Sequence, residues 1–263
     1  MGNTVMLQYA VLGSGSSGNS YLFTDGTVSL LVDQGYSVAE LNRRLLRFSV
    51  PLTTIQAVFL THLHPDHSRG VGVLSRKQPV SVYAHDKMVS SQSALMEKLG
   101  IPDGKVYTVS ASELVEVGPF SLFCFETSHD SSGSVGWYVT YRDTHCMVLT
   151  DTGITTEQQM ILAGEADILF LEANYDEQML KTGPYPAMLK RRISGDQGHL
   201  SNEQALQFLC KSGFKGEHVY FIHLSECNND PVILEEVVRS RTELPFTVCR
   251  KNQWYGPINE VQL

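Results

Sequence analysis

His62-Leu63-His64-Pro65-Asp66-His67 follows the apolar run Ala57-Val58-Phe59-Leu60 and precedes a Ser68-Arg69-Gly70 turn. Three imidazoles and a carboxylate crowd six residues at the mouth of what reads as a buried strand. These are the ligand types of divalent zinc, manganese or iron, and a packed core does not tolerate four such groups without a partner. A merely solvated histidine-rich loop is the competing reading, but the strand before it and the turn after it fix the loop's geometry. The stretch predicts a metal site.

The chain has 263 residues and a formal net charge of −8. That length supports a substantial α/β core. No apolar run approaches the length of a membrane span. The opening Met1-Gly2-Asn3-Thr4 carries no basic leader, so cytoplasmic residence without membrane attachment is expected. Cys124, Cys146, Cys210, Cys227 and Cys249 are scattered singly with no CxxC pair. They predict buried or half-buried free thiols, neither a disulfide framework nor a thiolate zinc site. The acidic balance argues against a polyanionic substrate, except that several of the acids are candidate ligands whose charge a metal would cancel.

No linker, repeat or composition break divides the chain, which reads as one domain over residues 1–263. Strands are expected over Val5–Leu12, Ser20–Thr24, Val28–Val32, Ala57–Leu60 and Ser81–Ala84, with a helix over Val38–Phe48 carrying Arg43, Arg44 and Arg47 outward. Helices are expected over Gly72–Lys77 and Lys87–Leu99. A strand-rich middle follows at Leu114–Val117, Phe120–Glu126, Gly136–Tyr141 and Cys146–Leu149. Beyond Asp151, helices over Thr156–Ala163, Asp176–Leu180, Met188–Arg192, Ser201–Cys210 and Val232–Arg239 alternate with strands Asp167–Leu171 and Val219–Ile222, Ser201 serving as N-cap. Two blocks of strands, each followed by helices, predict an α/β fold of four layers, two sheets face to face with helices outside.

Gly13-Ser14-Gly15-Ser16-Ser17-Gly18 matches a dinucleotide-binding GxGxxG, with Asp33 near the position of a ribose-binding acid. The context contradicts that reading: Asn19-Ser20-Tyr21-Leu22-Phe23 continues as a strand, not as a helix start. Asn19 also stands where a phosphate-binding loop needs lysine. A tight turn passing close to the active site is expected instead.

One loop cannot complete two metal shells, so further ligands should sit at other strand ends. His129, Asp151 and His223 each follow an apolar strand, repeating the placement of His62. HxHxDH, a lone His, the Asp of TDTG, a late His and Asp33 in LVDQG together resemble the metallo-β-lactamase fold. GSGSSGNS, GVGVL, SHD, LEANYD, KRRISGDQGHLSN and HLSECNN are similar to the YycJ (WalJ) group, bacterial proteins described as DNA exonucleases.

The resemblance implies an αββα sandwich and two divalent ions, zinc or manganese, with iron less fitting because His64 stands where redox di-iron members carry Glu. His62, His64 and His129 would take the first ion and Asp66, His67 and His223 the second. Asp151 would bridge them and Asp33 would orient a ligand histidine. Glu172 and His199 match the Glu and His of the HEAT and HST motifs of superfamily phosphodiesterases, with Leu171 in place of the first His of HEAT. Asp66, Glu172 and His199 are thus the expected catalytic groups. Asn19, Asn174, Lys190, Arg191 and Arg192 are candidate substrate contacts, as are Arg69, Arg76 and Lys77 after the histidine loop.

The expected reaction is phosphodiester hydrolysis by a hydroxide formed at the ions, as a 5′-to-3′ exonuclease on double-stranded DNA. The alternatives are hydrolysis of a small phosphodiester, ester, thioester or lactone on the same site, and a metal-binding regulatory protein. The sequence leaves the oligomeric state open.

Overall fold

A computed structural model describes residues 6–257. The expected strand start at Val5 and the opening Met1–Thr4 lie outside that range. The first sheet is ordered as its strands occur in the chain: β1 (Gln8–Gly13), β2 (Ser20–Thr24), β3 (Ser29–Val32), β4 (Ile55–Phe59), β5 (Ser81–His85) and β6 (Val106–Val109). The second runs β7 (Val115–Val117), β8 (Phe120–Glu126), β9 (Val135–Tyr141), β10 (Thr144–Leu149), β11 (Ile168–Glu172), β12 (His218–Ile222) and β13 (Phe246–Val248), again in sequential order. Each sheet is antiparallel at one end and parallel at the other, the parallel pairs being β3 to β6 and β10 to β13.

The continuous apolar runs follow from burial on both faces. Side chains alternate across a strand. In β4, Ala57 and Phe59 enter the core between the sheets, whereas Val58 and the following Leu60 face the helices of the first sheet. In β10, Cys146 and Val148 face the inter-sheet core, and Met147 and Leu149 face the helices of the second. The result is the four-layer αββα sandwich.

Trp137 of β9 ties the sheets together at the edge that carries the histidine loop. Its ring lies edge-on to Phe59 at 4.9 Å, and its Nε1 donates to Leu60 O at 3.0 Å. One residue on, Val135 N donates to Thr61 O at 2.9 Å. Removing an aromatic of this size from a core costs about 3–5 kcal/mol, and here the loss falls next to the site.

Several expectations need correction. Arg44 is 2% exposed, not outward. Its guanidinium stacks on Tyr36 and bonds to Leu12 O and Glu40, so the helix Val38–Arg47 buries a satisfied cation. The helix expected over Lys87–Leu99 is broken at Gln92, whose side chain donates to Ser132 O, giving Asp86–Ser91 and Ser93–Leu99. Strands β6 and β13 were not expected; each is short and at a sheet edge, where half its pattern is solvent-facing. Cys210 and Cys227 are exposed, and all five thiols are free. Among the described residues, no helix is long and apolar enough to cross a membrane.

Candidate metal centre

The site lies where the two sheets end together. Helix Pro65–Ser68, with Pro65 preset in its first turn, folds the histidine loop back on itself. Asp66 O accepts from Asn19 N at 2.7 Å, so the glycine-rich turn runs directly beneath the loop and no helix starts from it. Gly35 is needed here, since a Cβ would fall 1.7 Å from Asp66 O.

Asp33, Asp151 and His223 sit just past the ends of β3, β10 and β12, and all three have left-handed backbones, with φ of 60°, 54° and 59°. Such conformations cost non-glycine residues roughly 1–3 kcal/mol each and persist where neighbours fix them. Asp33 N donates to Phe59 O at 2.9 Å, and His223 N donates to Ser14 Oγ at 2.6 Å. The kinks turn three side chains inward at the strand ends.

The structure brings together His62, His64 and His129, then Asp66, His67 and His223, with donor atoms within 4.8 Å in each set. Asp151 lies between them, its Oδ1 3.5 Å from His129 Nε2 and its Oδ2 3.3 Å from His67 Nε2. Partners at the rear of the rings set the tautomers. His67 Nδ1 is 2.6 Å from Asp33 Oδ2, His129 Nδ1 3.0 Å from Gly198 O, and His223 Nδ1 3.0 Å from Glu172 Oε1. Thr61 Oγ1 donates to Asp33 and accepts from His62 Nδ1 at 3.0 Å. With Nδ1–H committed, each neutral ring turns an Nε2 lone pair inward. His62 Nε2 is buried with no hydrogen-bond partner, the expected state of a nitrogen whose partner is a cation. The donor set fits divalent metal.

Electrostatics agree. Burial drives the His62 imidazole well below its ordinary range, and His64 follows in the same direction for the same reason. Burial opposes charge on His67 too, but Asp151, Asp33 and Asp66 overcome it and push its pKa up to about 9. Burial likewise opposes ionisation of Asp151, yet His223, His67 and His62 hold it well below the carboxylate range. Protons on His67 and His223 balance the buried acids, and a bound cation would displace them.

Glu172, fully buried at the end of β11, is shared between two histidines: Oε1 lies 2.8 Å from His199 Nδ1 and 3.0 Å from His223 Nδ1. Its Oε2 accepts from Thr152 N and Leu200 N, both at 3.1 Å. Burial works against its charge, but His199 and the bond to His223 hold its pKa at about 2. His199, at the mouth of the cleft, is thereby fixed with its Nδ1 inward.

The other candidates divide. Asn19 Nδ2 donates to Asp66 Oδ2 at 3.2 Å, and Asn174 Nδ2 donates to His223 O at 2.8 Å. Arg192 lines the cleft. Lys190 Nζ is spent on Lys181 O, and Arg191 is exposed on the helix Ala187–Ile193. Arg69 holds Gly35 O and Ser17 O, and Arg76 holds Gly100 O, so both brace backbone. Lys77 is exposed at the end of the helix Val71–Lys77. Sequence reasoning missed Ser14, Thr61 and Asp130. Asp130 Oδ1 lies 3.5 Å from His64 Nε2, and its Oδ2 accepts from Arg192 Nε. Only the acid's place directly after His129 hinted at it.

Residues 29–224 match the family model described as the beta-lactamase superfamily domain. The chain is 32% identical over 225 residues to exodeoxyribonuclease WalJ of Streptococcus pneumoniae, covering 84% of this chain and 83% of that protein. It is 31% identical to exodeoxyribonuclease YycJ of Bacillus anthracis, with 85% and 84% covered. The fold superposes on the crystal structure of the metallo-β-lactamase-fold protein YhfI of Bacillus subtilis with a TM-score of 0.72 at 19% identity, covering 95% of this chain and 98% of YhfI. With its histidine and carboxylate cluster at the shared edge of two sheets, this chain belongs to the metallo-β-lactamase superfamily and is a metal-dependent hydrolase related to WalJ and YycJ.

Proposed function

We propose that this enzyme is a phosphodiesterase that removes nucleotides from the 5′ end of double-stranded DNA. The observation that carries this reading is the His199–Glu172 pair, 2.8 Å apart beside the cluster, in a chain whose relatives are named exodeoxyribonucleases. His62, His64 and His129 would hold one divalent ion, Asp66, His67 and His223 a second, and Asp151 would lie between them, with zinc or manganese suited to the nitrogen and oxygen donors. Two such ions supply an ionised water near neutral pH and offset charge at the attacked phosphorus.

The chain's own residues do the rest. Asp33 and Thr61 keep His67 and His62 aimed inward. Glu172 fixes the Nδ1 side of the His199 ring, so that its Nε2 faces the cleft to pass a proton to the leaving oxygen. Asn19 and Asn174 steady Asp66 and the backbone of His223. Residues 1–263 then act as a single hydrolase domain.

The test is digestion of 5′-phosphorylated duplex DNA, labelled at either end, with manganese and with chelated protein as blank. Stepwise, metal-dependent release from the 5′ end is expected. Hydrolysis of a small ester with none of DNA, by protein holding two ions per chain, would replace this reading with a small-molecule hydrolase.

A further inference from the structure

One stretch of chain walls the cleft beside the cluster. Tyr185 and, from the helix Ala187–Ile193, Leu189, Arg192 and Ile193 line it together with His64, Asp151 and His199 and, beyond β12, Glu226 and Cys227. The wall changes character along its height. At its base, Tyr185 and Leu189 are half-buried and pack on the small core of Tyr175, Leu180 and Ile193. At its lip, the Arg192 side chain is 57% exposed.

Arg192 is not a loose surface cation. Its Nε is committed to Asp130 Oδ2, and Asp130 Oδ1 lies within 3.5 Å of both His64 Nε2 and His129 Nε2. The guanidinium is therefore anchored through one residue to the cluster, with its terminal amino groups left to meet an anion. The cleft measures about 340 Å³, at the small end of the roughly 300–1,000 Å³ that small-molecule sites occupy. That is room for one nucleotide.

An aromatic ring on an apolar base, an anchored cationic fork and the histidine and carboxylate cluster beside them match a base, a terminal phosphate and the phosphodiester to be cut. We propose that this pocket takes the terminal nucleotide as a single unpaired unit. Its base lies against Tyr185 and Leu189, and Arg192, positioned by Asp130, holds its phosphate. The inference rests on the nuclease reading and adds to it the unit that is read: one nucleotide per turnover, recognised by its ring and its charge and not by sequence.

The experiment compares two 5′-phosphorylated single strands, identical except that one carries a base at the terminal nucleotide and the other an abasic sugar. The metal-loaded enzyme should favour the base-bearing strand by about tenfold in KM, the size of one stacked base. In Tyr185→Ala that preference should collapse towards unity, and Tyr185→Phe, which keeps the ring, should restore it. Arg192→Ala should raise KM for both strands alike and reduce the slope of log KM against log salt by about 0.7, one phosphate contact on a single strand. A wild type indifferent to the terminal base, or a preference that persists in Tyr185→Ala, overturns the pocket and leaves the nuclease reading standing. Release from 5′-phosphorylated duplex but from neither single strand overturns the pocket alone, and release from none of the three by fully loaded protein overturns both.

Discussion

On the inner side of the cluster, His62 and His67 are wholly buried and hang on Thr61 and Asp33 by contacts of 2.6 to 3.0 Å. On the outer side, His64, Asp66 and His199 keep 33%, 23% and 18% of their side chains exposed, and their neighbours are other site residues or the cleft. The inner side is a rigid mount in low dielectric, where an unpaired polar group is costly and every rear nitrogen has an acceptor. The outer side is where a substrate can reach. In the proposed reading a buried frame would hold the ions, and an open rim would do the chemistry. Glu172 belongs to both, bonding His223 behind and His199 in front.

That division can be broken by substitution. The largest effect is expected at the rim. His199→Ala should lower kcat by about 10²–10⁴-fold, the usual worth of a positioned acid, with metal content unchanged by elemental analysis. Loss of metal in that variant would make His199 part of the frame. Glu172→Gln should reduce both rate and metal content, because one carboxylate oxygen serves two rings.

A smaller effect belongs to the inner side. Asp33→Asn should weaken metal binding by about 10–100-fold, as loss of a carboxylate behind a ligand histidine does elsewhere, and excess metal should restore most of the rate. A rate that excess metal cannot recover would mean that Asp33 does more than orient His67. The smallest is at the seam between glycine turn and β12, where Ser14→Ala removes the acceptor for His223 N. It should cost about 1 kcal/mol of stability, read as a lower Tm with near-normal metal content.

Much of the fold was legible in the residues because strands buried on both faces must be apolar, and the runs Leu30–Val32, Ile168–Leu171 and Val219–Ile222 of β3, β11 and β12 read that way. Edge strands β6 and β13 were not, since a half-exposed three- or four-residue run carries too little pattern. Arg44 misled for a related reason: its sequence records a cation on a helix, and only Tyr36 and Leu12 O, supplied by other segments, explain its burial.

The sequence alone determined the chemistry of the centre, because the six residues His62–His67 are contiguous and because His129, Asp151 and His223 recur at strand ends, positions that a side-chain period of two makes visible. The tertiary structure decided which groups back them. Glu172 behind His199 and His223, Ser14 under His223 N, and Asp130 between His64 and Arg192 join residues 27 to 209 positions apart or bridge separate loops. Hydrogen bonds act over about 3 Å of space and leave no period along the chain, so such partners exist only once the two sheets have closed on each other.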